Sequence, residues 1–401
     1  MTVFRYNGRT KAGVQKKGVI EASNKQAAIE KLRKQGINAR EVQESTSILH
    51  KDLAIARKVK HQDFVVYCRQ YATLIRAGIS VVEATQILAA QTKNKTLKKA
   101  LLEVEEDIRS GTAFSDAAAK HPKVFPILFV NMMRAGEATG SIDDTLDRLA
   151  NTLEKQYSIK KKITSALTYP AILSILTIAV GLFLMVFIVP TFIATFKDMD
   201  LEMPLLTVIV VGISDWLIAN WYFVILALVM IVVGFNLLYK KNKNFHYSIN
   251  IMILRMPIFG SLMQKSVIAR MTRTLATLFS SSVPILNALT IVEKVTGNPV
   301  IAKVVLEARD NLEKGGALSE PLEKSWLFPP LVSQMTAIGE RTGSLDYMLE
   351  KVADFYEEEV DRSVDTLKSL VEPLMILVLA VVVGIIVAAI FLPMFKLYEN
   401  M

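Results

Sequence analysis

Gly136-Glu137-Ala138-Thr139-Gly140-Ser141 decides how the rest of the chain is read, because it returns as Gly339-Glu340-Arg341-Thr342-Gly343-Ser344, 203 positions later. Each copy opens an amphipathic run that enters an apolar segment bracketed by two prolines. These are Pro170 and Pro190 in the first copy and Pro373 and Pro393 in the second, again 203 apart. Self-similarity at a fixed offset across both a polar and an apolar stretch indicates duplication of one soluble-plus-membrane unit.

Working outward from the first copy, residues 63–166 carry helical periodicity and almost no strand pattern. Phe64, Tyr67, Cys68, Tyr71, Leu74 and Ile75 fall at spacings of three and four, which buries one helix face. Ala77-Gly78 ends that helix, and Ser80 with Glu83 is a capping box for the next. Asn94 caps a third, Gly111 stops it, a short helix follows Phe114, and Pro126 starts one that runs to about Ala138. Ser141 is then the expected cap of a long helix leading to the membrane. Residues 240–370 repeat the plan, with Asn298 and Gly315 matching Asn94 and Gly111 at offset 204, and Phe328-Pro329 matching Phe125-Pro126 at 203. One residue is therefore lost inside the second copy. The correspondence lies in caps and apolar positions, as expected for a duplicated scaffold.

Three stretches are long and uncharged enough to cross a bilayer, within 167–190, 217–239 and 371–394. Trp216, Trp221 and Tyr222 mark one end of the second and Tyr239 the other. Lys155, Lys160, Lys161 and Lys162 precede the first span, and Lys240, Lys241 and Lys243 follow the second. Between them Lys197 stands among Asp198, Asp200, Glu202 and Asp215. The positive-inside rule then places both bundles in the cytoplasm, with residues 191–216 as an extracytoplasmic loop and 395–401 as an extracytoplasmic tail. These lysines account for most of the net charge of +9, leaving little to suggest a nucleic-acid surface. With 52% hydrophobic residues and a mean hydropathy of +0.35, the composition suits a membrane protein with large wet parts.

Residues 1–46 form a separate small α+β unit. Val3–Tyr6, Gly18–Glu21 and Ile37–Val42 are expected as strands, Asn7-Gly8 and Ala12-Gly13 as turns, and Ser23 with Gln26 as a capping box for a helix that Gly36 ends. Nothing in this polar stretch resembles a signal peptide, so the N-terminus is expected in the cytoplasm. Residues 47–62 are a basic linker. The fold expected is an all-α membrane protein: two homologous cytoplasmic six-helix bundles, three transmembrane helices and the small α+β N-terminal unit.

Lys162-Ile163-Thr164-Ser165-Ala166-Leu167-Thr168-Tyr169-Pro170, with the apolar run to Ile188-Val189-Pro190, resembles the signature of the type II secretion system protein F family. That family includes the inner-membrane platform proteins of type IV pilus assembly. The resemblance covers nearly the whole chain. The second copy departs from it, with Asp365 where Lys162 aligns and Glu372 in place of Tyr169. It implies a homo-oligomeric platform without enzymatic activity in the bacterial inner membrane. Its cytoplasmic bundles contact a hexameric assembly or retraction ATPase, and its spans handle pilin or pseudopilin subunits alongside other inner-membrane components.

No catalytic or cofactor constellation is legible. Cys68 stands alone, so a single chain can form neither a disulfide nor a thiolate cluster, and it is expected as an inert buried thiol. His50, His61, His121 and His246 lack partners at metal-ligand spacing, and there is no GxxxxGK[ST] phosphate loop. Either a transporter or a membrane-bound hydrolase would need more: the spans carry no ionisable residue near their middles, and hydrolase motifs are missing.

Three features remain as candidates. In the repeated motif, Gly140 and Gly343 permit a helix break with Ser141 and Ser344 as caps, or Glu137 and Glu340 join Asp143 and Asp346 to hold a hard cation. Pro170 and Pro373 either simply begin the membrane portion or kink a continuous helix, or else use such a kink to pass a rotation of the bundle into the membrane. Lys160, Lys161 and Lys162 in one copy and Glu357, Glu358 and Glu359 in the other are either solvated helix faces with an orientation signal or oppositely charged surfaces for a partner.

Overall fold

The computed structural model describes residues 2–10, 15–22, 24–34, 37–44, 58–198 and 203–399. It divides into two compact units, residues 1–59 with 93–97 and the remainder.

In the small unit, strands β1 (Thr2–Thr10), β2 (Gln15–Ala22) and β3 (Ile37–Glu44) form an antiparallel sheet in the order β2-β1-β3. Helix α1 (Lys25–Lys34) lies between β2 and β3 in sequence. Phe4, Tyr6, Val42, Ala28 and Leu32 make its core. Asn7-Gly8, expected as a turn, is inside β1, where the pairing with β3 shifts register. A glycine in a strand accommodates such a bulge because it has no Cβ to clash. Asn24 caps α1, accepting from the Ala27 N–H at 2.8 Å. Ser23, Ala12-Gly13, Gly36 and most of the 47–62 linker lie outside the described residues.

The first bundle comprises α2 (His61–Arg76), α3 (Val81–Gln91), α4 (Lys95–Arg109), α5 (Phe114–Ala119), α6 (Ile127–Thr139) and the start of α7 (Ile142–Phe183). Capping follows the sequence at Ser80, which accepts from Glu83 N–H, and at Asn94, which accepts from Thr96 and Leu97. Its core is aromatic: Phe64, Tyr67, Tyr71, Phe114, Phe125 and Phe129 are buried, with Phe125 and Phe129 stacked at 5.2 Å.

The chain then leaves α7 through a π-helical turn (Leu184–Ile188), α8 (Val189–Asp198) and α9 (Leu205–Lys241), which is kinked at Asn220. Helix α10 (Lys243–Arg255) follows. The second bundle comprises α11 (Phe259–Ser280), α12 (Ile285–Val295), α13 (Pro299–Glu313), α14 (Ser319–Lys324), α15 (Pro330–Thr342) and the start of α16 (Leu345–Glu399). Its buried positions match those of the first copy with aliphatic side chains: Ile268, Met271, Leu275 and Leu318 replace Phe64, Tyr67, Tyr71 and Phe114. Even the backbone of the break after the first helix persists, with Ser282 at φ 59° where Gly78 has φ 83°. Helix α10 is additional to the six-helix plan.

Helices α7, α9 and α16 contain the three spans. Pro170, Pro373 and Pro393 all lie inside continuous helices. Helix α16 is about 80 Å long at 1.5 Å per residue, against a hydrocarbon core of about 30 Å. It therefore serves both as bundle helix and as span.

Residues 191–216, expected as an extracytoplasmic loop, are mostly helical. Pro190 does not end the helix, which continues through it to Asp198. The π turn hands over to α8, and the first half of α9 packs its Val210 against Val189, Ile193, Ile386 and Ala389. Apolar periodicity on 205–219 outweighs the proline, whose missing N–H is handled as described next.

Candidate functional site

Helices α7 and α16 run side by side and parallel. Lys155 meets Asp354 at 3.1 Å and Lys162 meets Asp361 at 2.6 Å. Further along, Ala166 packs with Val360, Val364 and Leu367, and Ser174 Oγ approaches Met375 Sδ at 3.8 Å. Deeper still, a Cβ on Gly181 would touch Val382 at 3.4 Å. One seam thus joins the copies from bundle level into the spans.

Above this seam each copy carries the same arginine clamp. Arg69 on α2 donates through Nε and Nη2 to both oxygens of Glu154 at 2.7 Å, and through Nη1 to Asp147 at 3.0 Å. Arg273 on α11 donates to both oxygens of Glu357 at 2.8 and 3.0 Å and to Asp354. Arg69 and Arg273 are 204 apart, while Glu154 and Glu357 are 203 apart. A polar constellation was duplicated along with the caps and apolar positions, contrary to the sequence reading. The two clamps differ in depth: the Arg273 side chain is 7% exposed and that of Arg69 33%. The fork geometry of arginine suits a carboxylate held bidentately.

The electrostatics follow. Hydrogen bonding from Arg69 holds the Glu154 carboxyl below its ordinary value. Burial pushes the Asp354 carboxyl up, but the hydrogen bonds and charges of Arg273 and Lys155 outweigh it and the net shift is downward. A carboxylate depressed in the fold contributes stability above its unfolded value and loses it as pH falls through the folded value. The seam is accordingly complete at neutral pH and loosens in acid.

This geometry corrects the reading of the charged faces. Glu357 and Glu359, expected to face a partner, are turned inward: Glu357 is taken by Arg273 and Lys155, and Glu359 by Lys265 at 2.8 Å. Glu358 alone of the three projects into solvent, beside Arg362. Of the basic run, Lys162 is paired with Asp361, and Lys160 and Lys161 are exposed. Charge divergence between the copies makes them complementary to each other, since like-charged faces could not have closed this seam.

The repeated motif acts within each bundle. Gly140 and Gly343 adopt φ of +71° and +70°, ending α6 and α15 with a left-handed residue, and the following N–H groups of Ser141 and Ser344 return to Gly136 and Gly339 at 3.0 Å. Ser141 stands at the start of α7, but its hydroxyl pairs with Thr139 and does not cap the helix. Gly136 and Gly339 admit close helix approach, as a Cβ on Gly136 would lie 3.0 Å from Thr145 Oγ1. The carboxylates have a role that the sequence did not suggest. Glu137 accepts from Ser115 N–H at 3.2 Å, and Glu340 from the Leu318 and Ser319 N–H groups and from Ser319 Oγ at 2.7 Å. Each anchors the N-terminus of a short helix, where an anion satisfies orphan donors. Asp143 and Asp346 are exposed, and no group of three or more potential ligands gathers among the described residues. Glu340→Ala is expected to lower stability by about 1–2 kcal/mol, and more than Glu137→Ala, in thermal unfolding of the purified protein, because Glu340 serves more donors.

At the far end of the seam the prolines are docking points. Pro393 has no N–H for the Ala389 carbonyl, and Thr207 Oγ1 of α9 donates to that carbonyl at 2.7 Å. The π turn before Pro190 shifts the orphaned carbonyl to Met185, and the Ser214 hydroxyl of α9 donates to it. In hydrocarbon an unmet carbonyl is costly, so each missing proline bond is replaced from the neighbouring helix. Thr207→Val, which keeps shape and removes the donor, is expected to destabilise the protein by about 1 kcal/mol in the same assay. Tyr169, by contrast, is exposed beside Pro170.

A duplicated bundle-plus-helix unit whose charged residues bind helix to helix and whose long helices continue into a bilayer defines a multi-pass membrane scaffold. The chain belongs to the type II secretion system protein F family: the family's sequence pattern matches residues 67–190 and again 271–393, and its N-terminal domain matches 1–43. The two matches begin 204 residues apart, as the duplication requires. Among relatives, the type IV pilus assembly protein PilC of Thermus thermophilus is 40% identical over 401 residues, covering 99% of this chain and 98% of that protein. PilC of Pseudomonas aeruginosa is 38% identical, covering 91% of this chain and 97% of its own. The type II secretion system protein F of Pseudomonas aeruginosa is 32% identical, covering 100% and 99%.

Proposed function

We propose that this chain is a non-enzymatic, homo-oligomeric platform in the bacterial inner membrane, with its N-terminus and both bundles in the cytoplasm. There it couples a hexameric assembly or retraction ATPase to insertion or removal of pilin-like subunits. The observation that carries this reading is the continuity of α7 and α16 from bundle into span, clamped together along their length. A force applied to either bundle is transmitted along stiff, paired helices to the surface that meets other membrane proteins. The flanking lysines support the orientation, and the relatives' names support the machine.

The test is site-specific photo-crosslinking in cells that make the filament. A crosslinker at the exposed Lys99 of the first bundle is expected to yield an adduct with the ATPase, and one at Ile175, exposed on the first span, an adduct with pilin. No ATPase adduct from any exposed bundle position, or solute flux through the purified chain in liposomes, would overturn the proposal.

A further inference from the structure

Helices α10 and α11 meet at a bend of 110° whose tip is Arg255-Met256-Pro257-Ile258-Phe259. Composition alone would allow this pair to be a broken span, but α11 is packed inside the second bundle and carries the buried, ion-paired Arg273. The bend and the last turn of α10 carry exposed apolar side chains. Met252 is 65% exposed, Met256 44% and Ile258 47%, and Trp326 is 53% exposed with the Arg255 guanidinium 5.4 Å above its ring. Ile258 is held at φ 66° and ψ −63°, the rare and strained classic γ-turn, with the Phe259 N–H donating to the Pro257 carbonyl at 2.7 Å. Strain of this kind persists only where the surroundings impose it. Here it presents an apolar side chain outward.

The fold sets the height of this bend. Leu262, near the start of α11, is buried in one cluster with Ala166, Val364 and Leu367. Those residues precede the uncharged span segments by only one to two helical turns, roughly 10 Å. From the other side, α10 begins directly after the second span, and its Phe245 and His246 pack on Phe235 and Tyr239 of that span. Both routes put the bend at the bundle-side surface of the bilayer. Within this segment of the chain the charge has one sign: between Asp215 and Glu293 there is no carboxylate side chain, while Lys240, Lys241, Lys243 and Arg255 flank α10.

We propose that the α10–α11 bend is a membrane-surface anchor. Met252, Met256, Ile258 and Phe259 enter the headgroup and upper acyl region of the leaflet on the bundle side, Trp326 sits at its boundary, and Arg255 with the lysines binds anionic headgroups. Amphipathic elements with apolar tips and basic flanks bind anionic interfaces in this way. The anchor fixes the second bundle against the bilayer independently of the spans.

The full chain, with Cys68→Ala, is spin-labelled at Met256→Cys or Ile258→Cys and placed in nanodiscs of phosphatidylethanolamine and phosphatidylglycerol. Collisions with oxygen, which partitions into the bilayer, are compared with those of a water-soluble nickel chelate. Oxygen is expected to dominate at both positions and the chelate at Lys303→Cys, a solvent-facing control. Replacing phosphatidylglycerol by phosphatidylcholine is expected to shift the bend toward chelate access. Chelate dominance at the bend in anionic discs would overturn the proposal, as would poor access to both reagents, which means that protein covers it; indifference to headgroup charge would overturn its electrostatic part. None of these readings depends on an ATPase or a filament, so the platform function stands or falls separately.

Discussion

Replacing Arg273 with Met is expected to cost about 3 kcal/mol, because it leaves the largely buried Glu357 with only Lys155 and strips Asp354 of its main partner. Removing one side of a buried ion pair leaves an uncompensated charge in poor solvent, which is worse than never having had the pair. The equivalent change in the first copy, Arg69→Met, removes a clamp of the same shape that is a third exposed, and solvent screening reduces its expected cost to about 1 kcal/mol or less. Thermal unfolding of both variants in the same detergent gives the comparison. Depth, not hydrogen-bond number, decides the order, so equal losses would contradict this account of the seam.

Gly260→Ala is expected to be at least as damaging. A Cβ there would overlap the Leu254 carbonyl, lying 2.7 Å from its carbon, and would stand 3.0 Å from the Ile253 carbonyl oxygen. Those are backbone atoms of α10 and cannot swing aside as a side-chain tip can, so the bend must open or the helices separate. The expected loss is about 3 kcal/mol, at the upper end of overpacking costs. Gly234→Ala supplies the control, since nothing lies within 4 Å of a Cβ on that helical glycine. It should be neutral or slightly stabilising, as alanine is the better helix former. Similar losses from both would show that α10 and α11 are not packed as described.

The duplication, the three apolar segments, the caps at Ser80, Asn94 and Asn298, and the left-handed glycines were legible because each depends on residues close in sequence. The arginine clamps were not, although their signal was present. Arg69 and Arg273 recur at 204 and Glu154 and Glu357 at 203, and the residue lost between them hides the relation unless polar positions are aligned separately on either side of the gap. Glu137 and Glu340 find their donors about 22 residues away, and although a short helix after Phe114 was legible, nothing local ties its N-terminus to either carboxylate. Pro190, followed soon after by Asp198 and Asp200, reads locally as the end of the helical segment. What reverses it is the pair of hydroxyls, Thr207 and Ser214, on a helix that no local rule connects to those prolines. The charge contrast between the copies was visible, but whether it served another protein or the chain itself depended on which faces of α7 and α16 meet.

The central claim is that the two long helices run parallel and in register, so that both bundles lie at one end of a single paired stem. Disulfide formation between Ser174→Cys and Met375→Cys, in the Cys68→Ala chain within native membranes, tests it most directly. A crosslink within one polypeptide, seen as a mobility shift at monomer mass, is the predicted result. Absence of that bond, or its formation only between separate chains, would contradict the claim.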